Sequence, residues 1–231
     1  MSDQAIPDDL RRSSAHVLVD RLPDLLVLDD DTEHHLRRVL RLGSGERVSA
    51  TDGAGGLRMY EAQVGSSSLD LVATAPRSDH PRSPSLRTVA TAIPKGDRVD
   101  WLVQKTTELG IDRIVFLHAE RSVVRWKPER AAKQLVRLQR IADEAVRQSR
   151  RLWRVELTGP FDARETIGDY LVAEPGGRRV DPRHDHRIAI GPEGGWSDRE
   201  LDEISDRVDL GPHVLRTETA AVAATVLTMS C

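Results

Sequence analysis

The sequence predicts a two-part protein: a small β-barrel followed by an α/β domain built on a mostly parallel sheet. Three observations predict it. The first 75 residues are dominated by short strand patterns cut by glycine turns. Residues 75–85, APRSDHPRSPS, carry three prolines and no apolar periodicity, as a linker does. Beyond them apolar strands alternate with amphipathic helices, the pattern of a parallel sheet covered on both faces. The expected division is a barrel over 1–75, a linker over 76–85 and an α/β domain over 86–231.

In the barrel, Glu33–Arg41 predicts a short helix with Leu36, Val39 and Leu40 on one face and the arginines on the other. Gly43-Ser44-Gly45 then turns the chain, and Glu46–Thr51 alternates as a strand does. Asp52-Gly53-Ala54-Gly55-Gly56 marks a hairpin or loop before return strands at Leu57–Val64 and Leu69–Thr74. In the second part, Leu86–Ile93 is an apolar strand. Asp97–Leu109 is a helix with Val99, Leu102, Val103, Thr106 and Leu109 on one face, and Gly110 stops it. Asp97 and Asp100 complement its dipole. Ile111–Leu117 is the next strand. Pro128–Arg150 is a long helix whose apolar stripe runs through Leu135, Leu138, Ile141, Ala142 and Ala145, opposite Lys133, Arg137, Arg140, Arg147 and Arg151. Trp153–Leu157, Tyr170–Ala173 and His186–Ile190 are short strands, with a polar loop at Gly176–Asp185. Ser197-Asp198-Arg199-Glu200 is a capping box. Val208–Leu210 is a strand and Thr217–Met229 an alanine-rich final helix.

Composition narrows the function. Charged residues make up 31% of the chain and aromatics 3%, so the core is mostly aliphatic. A net charge of −3 argues against a generic polyanion binder. Charge is unevenly placed, however: from Arg121 to Arg154 eleven Lys and Arg stand against three acids, a local patch of the kind phosphate backbones feel. The single cysteine, Cys231, is terminal, which excludes an intrachain disulfide framework and a thiolate metal site. His184 and His186, with Asp181 and Asp185, lack a third ligand in view and read as part of the polar loop, so no metal is expected. The opening Met1-Ser2-Asp3-Gln4 lacks the apolar core of a signal peptide. With no apolar run near the ~20 residues that span a bilayer, the expectation is a soluble, cytoplasmic protein.

The chemistry concentrates in two segments, each an apolar run that breaks into a Gly-Pro turn. The first is Ile188–Trp196 (IAIGPEGGW), the second Leu210–Ala220 (LGPHVLRTETA). Glycine lets backbone lie against a ligand without a Cβ, and proline fixes φ. The first turn has neither the Gly-x-Gly-x-x-Gly nor the Gly-Lys-Ser/Thr ending of nucleotide phosphate loops. Two such turns leading towards helices point to paired backbone loops closing on one small molecule. Thr217 sits where it can cap the last helix, with Arg216 and Glu218 beside it.

Together these segments resemble the RsmE-type ribosomal RNA methyltransferases of the SPOUT class, which methylate ring nitrogen 3 of a uridine in small-subunit rRNA. The match runs in order through His35–Arg41, Asp52-Gly53, Pro94-Lys95-Gly96 to Asp112-Arg113, Ala145 to Gln148-Ser149, Ile190–Gly195 and Leu210–Ala221. The resemblance implies a PUA-like RNA-binding β-barrel, an α/β domain with a C-terminal trefoil knot, and a homodimer acting on 16S rRNA or the 30S subunit. It also implies S-adenosylmethionine cradled by three loops. Two of these map onto Ile190, Gly191, Glu193, Gly194 and Gly195, and onto Leu210, Gly211, Val214, Leu215, Thr217, Thr219 and Ala220. The third usually holds a His-Pro pair. Here it reads Ala173-Glu174-Pro175, with glutamate in place of histidine.

Methylating a uracil nitrogen requires removing its proton and steadying the anion, for which Glu218 is the expected base and Arg216 the expected stabiliser. Expected RNA contacts are Arg37, Arg38, Arg41 and Lys95, then Arg137 and Arg147 on the long helix. The family's Arg-aromatic opening is missing, and Arg11 and Arg12 stand nearest to its place. Two alternatives stay open: another SPOUT methyltransferase, acting on tRNA or on a ribose 2′-oxygen, or a non-catalytic RNA-binding ribosome-assembly factor.

Overall fold

The computed structural model describes residues 7–66, 68–202 and 204–229. The terminal Cys231 and Met1–Gln4 lie outside them. The chain forms two compact units, Met1–Arg82 with Val146–Arg154, and Ser83–Ala145 with Val155–Cys231.

The first unit opens with helix α1 (Asp8–Arg11), strands β1 (Ala15–Leu18) and β2 (Leu25–Val27), and helix α2 (Asp30–His34). It continues with β3 (Arg47–Thr51), β4 (Gly56–Val64), β5 (Leu69–Ala73) and β6 (Ser78–Asp79). The sheet order is β1-β3-β4-β5-β2, with β6 pairing β4 from inside the proline-rich stretch. All pairs are antiparallel except β1 with β3. Val17 and Leu26, from strands at opposite ends of that order, share one buried cluster with Val48, Tyr60 and Leu71. The sheet therefore wraps a single core, as a barrel does.

The helix expected at Glu33–Arg41 is split. α2 ends at His34 and a π-helical turn occupies His35–Val39, its Leu40 N–H bonding to His35 O at 3.0 Å. A π turn adds a residue per turn and rotates later side chains off the buried face. Leu36 is accordingly buried, whereas Val39 and Leu40 are 61% and 47% exposed.

Val146–Arg154 completes the barrel unit. Arg150, at φ 57°, donates to Leu10 O, to Ser13 Oγ at 2.6 Å and to Ser13 O at 2.7 Å. Ser13 and Ser49 hydroxyls meet at 2.9 Å, and Ser49 Oγ lies 2.8 Å from His16 Nδ1. His16 Nε2 is 3.2 Å from Arg151 O, which only accepts, so Nε2 carries the proton and Nδ1 accepts from Ser49. Burial, with a smaller push from Arg150, lowers the His16 pKa to about 4. Between that value and the ordinary 6.5 the unfolded chain binds more protons than the folded one, so stability rises with pH across this window and is lost as pH falls through it. The expected loss is about 3 kcal/mol, at about 1.4 kcal/mol per pH unit of displacement. Chemical denaturation at pH 7 and pH 4 should show it in the wild type, and His16→Gln should flatten it.

The second unit runs β7 (Thr88–Ala92), α3 (Arg98–Glu108), β8 (Arg113–His118), α4 (Pro128–Ser149, its last turn grouped with the barrel unit) and β9 (Glu156–Asp162). Then follow α5 (Ala163–Thr166), β10 (Leu171–Arg179), β11 (Arg187–Ile190), α6 (Asp198–Leu201), β12 (Arg207–Asp209) and α7 (Thr217–Met229). The sheet order is β12-β10-β11-β7-β8-β9, and every neighbouring pair is parallel. The faces of α3 and α4 match expectation at Val99, Leu102, Val103, Leu138, Ala142 and Ala145, all buried. Leu109 departs from it, at 39% exposed, because it falls beyond the last helical residue as the C-cap.

The polar loop expected at Gly176–Asp185 is instead partly strand. β10 pauses in an irregularity and resumes, so Ala173 and Arg178 both pair with Val208. Asp185 is buried and accepts from both terminal nitrogens of Arg178, at 2.6 and 3.0 Å, and from the Asp181 amide at 2.7 Å. The Arg178 hydrogen bonds hold its carboxyl below the usual range, which fixes Asp185 as a structural anion.

Candidate active site

Strands β12, β10 and β11 are adjacent and parallel, so their carboxyl ends share one rim. That rim is where open α/β sheets bind ligands. The Gly-Pro turns leave from β11 and β12, and Ala173-Glu174-Pro175 lies within β10 at its irregularity.

Two of these stretches are joined directly. The Thr217 hydroxyl donates to Gly191 O at 3.1 Å. Thr217 is therefore not the cap expected of it. It is the first residue of α7, and the carbonyl of Arg216 accepts the first helical bond, from Ala220 N at 2.8 Å. The third stretch is tied in by a residue outside all the expected ones. Asp209 accepts from Gly211 N at 2.8 Å and from Gly176 N at 3.2 Å, linking the chain just after Pro175 to the second Gly-Pro turn. Glu174, in the place of the family's histidine, is half-buried, and burial raises its carboxyl pKa against the pull of Arg207.

Gly191 shows why this turn needs glycine. A Cβ there would meet the Trp196 indole at 3.1 Å. Trp196 itself is 3% exposed and packs under the rim with Ala90, Leu117 and Val172. Gly195 takes φ 70°, the left-handed region that turns the chain towards α6. The capping box expected at Ser197 is complete, the Ser197 hydroxyl accepting from Glu200 N and the Glu200 carboxylate from Ser197 N. Glu200 also accepts from Glu120 N at 2.8 Å. Arg121 donates to Trp196 O at 2.8 Å and Gly194 O at 3.4 Å. Read from sequence, Arg121 belongs to the basic patch; in the fold it braces the first Gly-Pro turn.

Glu218 is the second residue of α7 and is 7% exposed. One carboxylate oxygen faces Arg98, whose guanidinium also faces Glu193. The other is buried without a hydrogen-bond partner among the described residues. Arg216 and Thr219 are exposed, Leu210 and Leu215 half-buried, and Val214 91% exposed. The rim thus offers backbone amides and carbonyls, apolar side chains, one buried carboxylate and one exposed guanidinium.

The expected RNA contacts divide by what already holds them. Arg11, Arg12, Arg38 and Arg41 are exposed in the barrel unit, as is Lys95 in the second. Arg37 pairs with Glu33 at 3.1 Å and donates to the carbonyls of Gly65 and Ser66. Arg137 makes a two-point pair with Asp100, at 2.5 and 2.7 Å. Arg147 is half-buried. Lys127, Arg130, Lys133 and Arg140 are exposed along α4 and just before it.

The comparisons with known proteins agree with this geometry. A family profile described as an RNA methyltransferase domain matches residues 81–229, and one described as an RNA methyltransferase PUA domain matches 28–69. The ribosomal RNA small subunit methyltransferase E of Mycobacterium bovis is 32% identical over 89% of this chain and 87% of its own. The protein of the same name from Bacillus subtilis is 27% identical over 83% of this chain and 84% of its own. Among solved structures, a ribosomal RNA small subunit methyltransferase E from Neisseria gonorrhoeae, bound to S-adenosyl methionine, superposes with a TM-score of 0.77. It is 29% identical, over 91% of this chain and 94% of that one.

Proposed function

The chain belongs to the ribosomal RNA small subunit methyltransferase E family, and on that premise we propose that it transfers a methyl group from S-adenosylmethionine to ring nitrogen 3 of a uridine in 16S rRNA. The observation that carries the reading is the junction of the two Gly-Pro segments, Thr217 to Gly191, with the buried Glu218 one residue on.

The rim fits the cofactor's chemistry. An adenosine needs backbone donors and acceptors between apolar walls, which Gly191, Glu193, Gly194, Gly195, Leu210, Gly211, Val214, Leu215 and Ala220 would supply, with Ile190 and Ala173-Glu174-Pro175 at the strand ends. S-adenosylmethionine, when bound, supplies an electrophilic methyl whose C–S bonding pair leaves with sulfur. The protein does the rest by alignment and proton handling. Glu218 Oε2 takes the N3 proton, leaving its electron pair on nitrogen for the new N–C bond. The exposed Arg216 guanidinium steadies the negative charge on the uracil oxygens. Thr217 keeps both turns in register while this happens.

The barrel unit serves as the RNA-binding module, through Arg11, Arg12, Arg38 and Arg41. On α4, the exposed Lys133 and Arg140 are better placed for phosphate than Arg137, whose charge Asp100 already meets. Lys133→Glu with Arg140→Glu should weaken RNA binding and reduce the salt slope by about 0.7–0.9 per lost phosphate contact. Cofactor affinity should be unchanged, and equal loss of both would mean misfolding instead. We further propose a homodimer through α3 and α7, where Trp101 and Val226 are each 43% exposed. No helix among the described residues is long and apolar enough to cross a membrane, and the proposed substrate places the enzyme in the cytoplasm.

The test is transfer of labelled methyl from S-adenosylmethionine to 30S subunits lacking their native uridine methylation, followed by nucleoside analysis. Label in 3-methyluridine is the expected result. Label in another nucleoside, or cofactor binding with no transfer, would overturn the assignment.

A further inference from the structure

Arg98 belongs to neither Gly-Pro segment, yet its guanidinium stands beside a carboxylate from each. Nη1 is 3.6 Å from Glu193 Oε1 in the first turn, and Nε is 3.8 Å from Glu218 Oε1 at the start of α7. Both separations exceed a hydrogen bond, so these are ion pairs. The side chains of Arg98 and Glu193 keep 39% and 38% of their exposure, whereas Glu218 keeps 10%. The Arg98–Glu218 attraction is therefore the less screened of the two.

The second observation concerns how Glu218 uses its oxygens. Oε1 faces the cation, and Oε2 is buried with no partner among the described residues. A buried carboxylate normally satisfies both oxygens. Leaving one bare costs free energy and calls for a task.

We propose that Arg98 is the positioning residue of this site. It holds Glu218 Oε1, with Glu193 also paired to the guanidinium, and so fixes the rotation of the carboxylate that presents Oε2 to the uracil N3–H. Arg98 does not touch the substrate; it acts through Glu218, and the proposal rests on Glu218 as the proton acceptor. A bland ion pair between two loops would predict something different, namely loss of stability or cofactor affinity whatever stands at position 218.

The test compares wild type, Arg98→Ala, Arg98→Lys, Glu218→Gln and the Arg98→Ala/Glu218→Gln pair. The readouts are single-turnover methyl transfer to unmethylated 30S subunits and calorimetric cofactor binding. Arg98→Ala should slow transfer by about 10- to 100-fold at saturating cofactor, with the cofactor Kd nearly unchanged, and Arg98→Lys should recover most of the rate. With Glu218→Gln already present, Arg98→Ala should change the rate by less than about threefold, because the group it positions is gone. The inference is overturned if the full factor recurs in the Glu218→Gln background, or if the whole loss falls on cofactor Kd. Wild-type rates for Glu218→Gln alone would remove Glu218 as acceptor and Arg98's task with it. A slow Glu218→Gln with additive loss from Arg98→Ala would remove Arg98 only. Should Arg98→Ala fail to fold, Arg98→Gln, which keeps length and drops charge, carries the same comparison.

Discussion

Glu218→Gln should lower the rate of methyl transfer by about 10²- to 10⁴-fold, the range a general base contributes. The substitution keeps the shape of the side chain and its burial at the head of α7 while removing the capacity to accept a proton. Cofactor affinity should hold, because the hydrogen bond from the Thr217 hydroxyl to the Gly191 carbonyl still joins the turns when the Glu218–Arg98 ion pair is lost. A uracil N3–H is a weak acid, so supplying substrate with the proton already removed should restore turnover. Raising the pH should therefore rescue the variant more than the wild type. Unchanged single-turnover rates in Glu218→Gln, with normal cofactor binding, would mean that another group takes the proton. The same assay on Arg216→Ala separates the anion stabiliser from the base, since loss of an exposed cation should respond to ionic strength and loss of the base should not.

The parts of this architecture legible in sequence are those whose cause is local. The final helix runs from Thr217 to Met229 as expected, because an alanine-rich run follows a Gly-Pro break with nothing to interrupt it. The Ser197 box forms because its two hydrogen bonds need only residues three apart. Strands β1 and β2 are not legible in the sequence because four and three residues are too short for a period to declare itself. The π turn at His35–Val39 is invisible for a related reason: its sequence satisfies an α-helical stripe through Leu36, Val39 and Leu40, and only the wider turn exposes the last two. Within the site, the Gly-Pro segments could be read directly, but Arg98, Arg121 and Asp209 could not. Arg98 and Arg121 lie far along the chain from the turns they brace, Asp209 lies 33 residues from the Gly176 it ties in, and each looks from its neighbours like an ordinary surface charge.

Trp196→Ala should cost about 3–5 kcal/mol of stability in the second unit, the usual range for emptying a buried aromatic site. Trp196 is 3% exposed and shares its cluster with the small side chains of Ala90, Ala119, Ala163 and Ala189, which cannot move in to refill the space. The loss should reach the cofactor site as well. The indole is the surface Gly191 lies over, so close that a Cβ there would come within 3.1 Å of it, and removing it frees the turn whose carbonyl Thr217 holds. Cofactor affinity should fall further than the stability loss alone predicts, when measured at a temperature where the variant is still folded. Trp196→Phe separates the two effects. Its ring keeps most of the packing and removes an indole N–H that is buried without a hydrogen-bond partner among the described residues. Losing an unpaired donor offsets part of the lost volume, so Trp196→Phe should stay within about 1.5 kcal/mol of wild type and bind cofactor nearly as well. Urea unfolding and calorimetry on the pair decide the matter. If Trp196→Ala binds cofactor as tightly as Trp196→Phe, the indole is core packing alone, and the first Gly-Pro turn owes its shape to Arg121 and the Ser197 box.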